Sequence, residues 1–137
     1  MPHIIHMDAE TRSGLTLDRI STRRYAGEES TEALCVAYAV DDGPVELWLP
    51  GAPVPSEFIA ADPDTCFAAH NANFEFSLVQ HLLAPRFGWP AIPIERFICT
   101  MVRARAAALP GSLDGAAAAL DDRFHESCHF GGFIPVF

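Results

Sequence analysis

Ala33-Leu34-Cys35-Val36-Ala37-Tyr38-Ala39-Val40, then Asp41-Asp42-Gly43-Pro44, then Val45-Glu46-Leu47-Trp48-Leu49, is the stretch on which the fold turns. Its flanks are apolar, and the residues between them are turn formers, with Asp42-Gly43 suited to the backbone geometry of a tight reversal. The segment predicts a hairpin of two strands, 33–40 and 45–49. Upstream, Ile4 to Asp8 is apolar and β-branched and predicts a buried strand ending in an acidic residue. Thr11 to Tyr25, with Arg12, Arg19, Arg23 and Arg24, predicts a loop holding a turn or a short second element.

Downstream the pattern alternates. Ser56 to Ala61 predicts a short helix and Thr65 to Ala69 a fourth strand. Asn73 to Leu83 predicts a helix, with Phe74, Leu78 and Leu82 at i, i+4 and i+8 on one face. Ile94 to Cys99 predicts a fifth short strand. Thr100 to Leu109 predicts a helix stopped by Pro110-Gly111, and Ser112 is placed to cap another over Leu113 to Leu120. A first strand, a hairpin and then alternation suit an α/β fold, a mixed sheet with helices packed on it.

The chain has 137 residues, half of them hydrophobic, enough for one domain to bury roughly two-thirds of its unfolded surface. No run of 18 apolar residues occurs, so a membrane span is not expected, and the N-terminus lacks the pattern of a signal peptide. A cytoplasmic setting is the expectation. Four cysteines (Cys35, Cys66, Cys99, Cys128) are widely spaced and fit reduced, buried thiols. His125, Cys128 and His129 lie close together but lack an upstream pair at finger spacing, which makes zinc the lesser alternative. The net charge of −9 argues against coating phosphate backbones by charge alone. It leaves room for acidic groups that gather on cations facing phosphates.

Asp8 and Glu10 are two apart at the end of the first strand, so both project to the same side. Two carboxylates about 4 Å apart repel by about 4 kcal/mol at an effective dielectric near 20, and either raise a pKa or take up a cation. Hard oxygen ligands suit Mg²⁺ or Mn²⁺. Asn71 and Glu75 are four apart, on one face of a helix that starts after the fourth strand. The plain reading has Asn71 capping that helix and Glu75 at the surface.

Taken together these motifs are more specific. Asp8-Ala9-Glu10-Thr11 resembles the first motif of the DEDD superfamily of 3′–5′ exonucleases, and Asn71 through Glu75 resembles the second, with Glu75 where many members have Asp. Cys99-Thr100-Met101, Ser112-Leu113-Asp114 and the alanine-rich helix resemble the next segment in the exonuclease part of family A DNA polymerases of bacteriophage type. Tyr25-Ala26, Leu34 through Tyr38, Asp41-Asp42-Gly43 and Ala69-His70-Asn71-Ala72 add to the likeness, which runs from residue 3 to about 120.

The resemblance implies an RNase H-like mixed sheet, a three-stranded meander and then parallel strands, over residues 1–120. It implies removal of nucleotides from the 3′ end of single-stranded DNA by two metal ions about 3.5–4 Å apart. Asp8 would bridge both ions, Glu10 would hold the one carrying the attacking water, and Glu75 would complete the other. Thr11, Arg12 and Asn71 would contact substrate or its neighbouring backbone, and Phe74 would pack under the helix or stack on a base. A DNA polymerase is the implied partner.

Two departures from the family pattern stand out. Ala9 is smaller than the residue often seen between the acidic pair. The family's fourth carboxylate, on a late helix, has no counterpart among residues 121–137, an atypical tail with four phenylalanines. That predicts a C-terminally truncated domain, a site reduced to one ion, or a ligand supplied by Asp121, Asp122, His125 or Glu126. The apolar tail also predicts docking on its own sheet or a homodimer. The alternative function is a non-catalytic module, derived from a polymerase exonuclease domain, that binds nucleic acid or a protein.

Overall fold

The computed structural model describes residues 2–120. A five-stranded open sheet has the order β3-β2-β1-β4-β5, from β1 (Ile4–Arg12), β2 (Glu32–Val40), β3 (Glu46–Trp48), β4 (Cys66–Ala69) and β5 (Phe97–Cys99). The first three strands form an antiparallel meander, and β4 and β5 run parallel to β1. This is the α/β mixed sheet that the hairpin and the later alternation imply. The helices are α1 (Thr22–Gly27), α2 (Ser56–Ile59), α3 (Ala72–Leu78), α4 (Ala84–Phe87), α5 (Thr100–Ala106) and α6 (Leu113–Leu120).

β1 shows how its two faces differ. Ile5, Met7 and Ala9 are buried on one side, while His6, Asp8 and Glu10 alternate to the other. On the core side Val36, Tyr38, Trp48, Phe67, Leu78 and Leu82 join them. Phe67 is fully buried and stacks with Phe58, and Phe58 in turn meets Tyr38 and Trp89 edgewise or tilted.

Two arginines brace loops by giving their N–H groups to backbone carbonyls. Arg86 donates to the carbonyls of Glu28, Glu29 and Thr31 at 2.7 to 3.4 Å. Arg96 donates to Asp62 and Thr65 and lies 5.1 Å over the Phe67 ring.

Several boundaries differ from expectation. β1 runs four residues past Asp8, because Thr11 and Arg12 pair with Ala33 and Glu32 across a register shift at Glu10/Thr11. The loop expected from Thr11 therefore starts later, and its short second element is α1. The expected fifth strand is shared between a 3₁₀ turn (Ile94–Arg96) and β5, since Pro93 at its head offers no N–H for a ladder.

The expected helix at 73–83 begins at Ala72 and continues to Phe87 through a π-helical turn, Val79–Leu83. Pro85 explains that turn. Proline lacks the N–H of the ladder and crowds the carbonyl four residues back, and a widened turn, with the Ala84 N–H on the Val79 carbonyl, relieves the clash. Gly88 then ends the run in the left-handed conformation at φ 74°. α5 stops at Ala106, earlier than Pro110 requires. Ser112 does cap α6, its Oγ accepting from the Gly115 N–H at 3.2 Å.

The expectations for Asp121, Asp122, His125, Glu126, Cys128 and His129, for truncation, and for docking or dimerisation through the apolar tail lie outside the described residues.

Candidate functional site

The side chains expected to matter come from two places, the far half of β1 and the junction of β4 with α3, and the head of α5 lies beside them. β1 is nine residues long and β4 only four, so β4 accompanies β1 no further than His6. Beyond that point α3 takes the place of a strand.

Glu75, in the first turn of α3, is buried at 3% exposure, and its Oε2 has no hydrogen-bond partner among the described residues. Burial pushes its carboxyl up to about 8; the Asp8 carboxylate and Cys99 push the same way, and the backbone N–H groups of Glu75 and Ala9 pull against them. The surface position of the plain reading is thus overturned. Glu75 lies against β1 at Asp8 and Ala9.

Asp8 is half-buried, and burial raises its carboxyl above the ordinary value, with His70 acting in the opposite sense. Glu10 is exposed and stands opposite Cys35 in the β1–β2 pair. Burial raises the Cys35 thiol, and both Glu10 and Asp8 contribute, which puts the two carboxylates on one side of the sheet as the two-residue period requires. Asp8 and Glu75 are therefore brought together, with Glu10 on the Asp8 side at the open rim. Among the described residues, no three His, Cys, Asp or Glu side chains are gathered closely enough to hold a metal ion. Asp8 acts on both Glu75 and Cys35, and Glu10 acts on Cys35 from its exposed position at the rim.

The other candidates have other partners. Thr11 Oγ1 hydrogen-bonds the Tyr25 hydroxyl at 2.9 Å, and the Tyr25 ring meets Phe74 at 6.0 Å. Phe74 is half-buried against the core, the packing role of the two considered. Arg12 is held by Glu32, Nε to Oε2 at 2.6 Å. Asn71 is exposed at the head of α3 in the left-handed region, φ 70°, and its side chain makes no capping bond, so the expected cap is absent. A cap needs extended backbone at that position.

Sequence reasoning gave no role to His70 and Cys99. His70 Nε2 donates to the Gly111 carbonyl at 2.8 Å, which leaves Nδ1 to accept from the Thr100 hydroxyl at 3.0 Å. Burial would raise the Cys99 thiol, but the N–H groups of Val102, Ala72, Asn71 and Met101 outweigh it and hold the thiol below its ordinary value. Both residues stand inside motifs that carry the family resemblance, and that was the signal the sequence held for them.

No known family profile matches the sequence. A DNA polymerase of Bacillus phage SP02 is 34% identical over 120 residues, covering 85% of this chain and 18% of the polymerase. A solved structure described as the apo form of a nuclease covers 88% of this chain and 46% of its own, at 22% identity and a TM-score of 0.47. No helix among the described residues is long and apolar enough to cross a membrane. The chain is thus similar, along most of its own length, to a segment of a phage DNA polymerase of which it spans less than a fifth.

Proposed function

We propose that this chain is a metal-dependent nuclease module that removes nucleotides from the 3′ end of single-stranded DNA, as a proofreading partner of a DNA polymerase. The observation that carries the reading is Glu75, a buried carboxyl with an oxygen unpartnered among the described residues, set beside a second raised carboxyl on β1. Placing two acids together in a dry site is costly, and proteins retain such pairs where a cation or a reaction uses them. The similarity to a phage polymerase segment supports the same reading.

Hard oxygens from Asp8 and Glu75, with Glu10 at the rim, fit Mg²⁺ or Mn²⁺. Such an ion supplies polarisation of the phosphate and acidification of a bound water. The chain's own residues do the rest. Asp8 and Glu75 hold protons more tightly than free carboxyls, so ion uptake is coupled to proton release. The buried Tyr25 ring, packed on Phe74, fixes the Thr11 hydroxyl beside the site. Arg12 is engaged by Glu32 and is the weakest of the substrate candidates.

A second reading is favoured by one observation, the absence of a three-ligand cluster among the described residues. It is a module that binds nucleic acid or a protein, takes at most one ion, and does not turn over. The two readings separate when the chain is incubated with 3′-labelled single-stranded DNA and Mn²⁺, alongside Asp8→Ala. Nucleotide release that disappears in the variant is the expected result. Binding without release in either protein refutes the enzyme and leaves the module.

A further inference from the structure

Every side-chain cation of this chain other than histidine is an arginine: nine Lys and Arg are counted and none is lysine. Several of the described arginines are already occupied. Arg12 pairs with Glu32, Arg19 stands 3.9 Å from Asp18, and Arg86 and Arg96 are spent on carbonyl oxygens. Arg23 and Arg24, adjacent on α1, form no ion pair among the described residues and are exposed, as are Arg103 and Arg105 on α5, which line no such cleft with them. Arg23 and Arg24 line a cleft of about 390 Å³ together with Ser21, Gly27, Glu28 and His81.

The cleft is tied to the acidic site through one seam. α1 packs on α3, with Tyr25 against Phe74, and Thr22 bonded to both Asn73 and Ser77. Phe74, Ser77 and His81, at i, i+3 and i+7, share the face that α1 covers. At 1.5 Å of rise per residue, His81 lies roughly 9 Å beyond Glu75 along that helix. Two guanidinium groups outside any described ion pair therefore stand on the helix that packs against α3, the element carrying Glu75, in a chain whose net charge is −9.

We infer that the Arg23–Arg24 cleft holds phosphates of a single-stranded nucleic acid whose end lies at Asp8 and Glu75. The inference rests on the nuclease reading for which part of the strand sits where. The chemistry is that of a guanidinium fork, which matches phosphate oxygens in pairs and keeps its charge at any physiological pH. A strongly acidic chain repels a polyanion at long range, so it needs a local positive patch beside its site to hold one. Among the described residues, Glu28 is the only acidic side chain lining the cleft. It opposes close approach of phosphate on its own side and leaves the Arg23–Arg24 side as the favourable track.

The test is fluorescence anisotropy of a labelled oligothymidylate with the full chain and EDTA, over a salt series, comparing wild type with Arg23→Gln/Arg24→Gln. Each phosphate contact on a single strand contributes a slope of about −0.7 in log K against log salt. Removing two should flatten the slope by about 1.4 and weaken binding roughly 25-fold at 0.1 M salt. Arg23→Lys/Arg24→Lys should recover most of the slope. It also keeps the inference open to refutation if the glutamine protein fails to fold.

Unchanged slope and affinity in the glutamine variant overturn the inference. If wild type still shows Asp8-dependent release, the nuclease reading stands without it. Loss of binding in the variant with no release from wild type keeps the cleft and sinks the nuclease reading. No binding by wild type refutes the cleft.

Discussion

Replacing Glu75 by Gln should remove the fall in stability with rising pH that this carboxyl imposes, so that the variant overtakes wild type at high pH. In the folded chain burial keeps a proton on this carboxyl up to about pH 8, whereas its ordinary value is 4.5. Between those values the native state holds a proton that the unfolded chain has released, so stability falls as pH rises through that window and is fully present below it. A separation of 3.5 units at 1.36 kcal/mol each gives about 5 kcal/mol between pH 4.5 and pH 8 and above. That is comparable with the whole stability of a small domain.

Gln keeps the shape and cannot ionise. It should cost about 1 kcal/mol at pH 5, where wild type carries the neutral acid, and be the more stable protein at pH 9. Urea unfolding in EDTA at half-unit pH steps, monitored by circular dichroism, gives both curves. The difference between the two proteins isolates Glu75 from the other carboxyls. Parallel curves with a constant offset would refute the burial argument and, with it, the support that Glu75 lends to the ion site.

The same contacts set three further outcomes. Asp8→Asn removes a charge that raises Glu75, so the Glu75 titration, read by carboxyl NMR, should move to lower pH; a move upward contradicts the pairing. Arg86→Met strips three carbonyls of their donor and should lower stability by about 1–2 kcal/mol in urea titration, given the side chain's exposure. Cys99, held below the ordinary thiol value, should be alkylated by iodoacetamide at neutral pH ahead of Cys35, which is raised, as read by peptide mass spectrometry.

Local features were the legible ones in the sequence. The hairpin at 33–49 announced itself through apolar flanks and a turn, and Asp8 and Glu10 through the two-residue period. The end of β1 was hidden because Glu10, Thr11 and Arg12 carry no apolar signal; pairing with β2 extends the strand there. Asn71 looked like a cap by residue type, yet only its φ of 70° shows that its backbone is wrong for one. Glu75 looked like an ordinary acid in a helix's first turn. Its burial comes from three-dimensional neighbours, β1 and β5, that local spacing does not encode. The roles of His70, Cys99 and Tyr25 likewise depend on contacts across the fold.

The mismatch in length between β1 and β4 has a consequence for how such a site could change. Where β4 gives out, the first turn of α3 lies beside β1 instead, and Glu75 is the acidic side chain buried there. The strength of the acid is then governed by where a neighbour stops. Two residues added to β4 in register would take that place beside β1 and evict Glu75 to water, restoring an unremarkable carboxylate while every charged residue stayed in the chain.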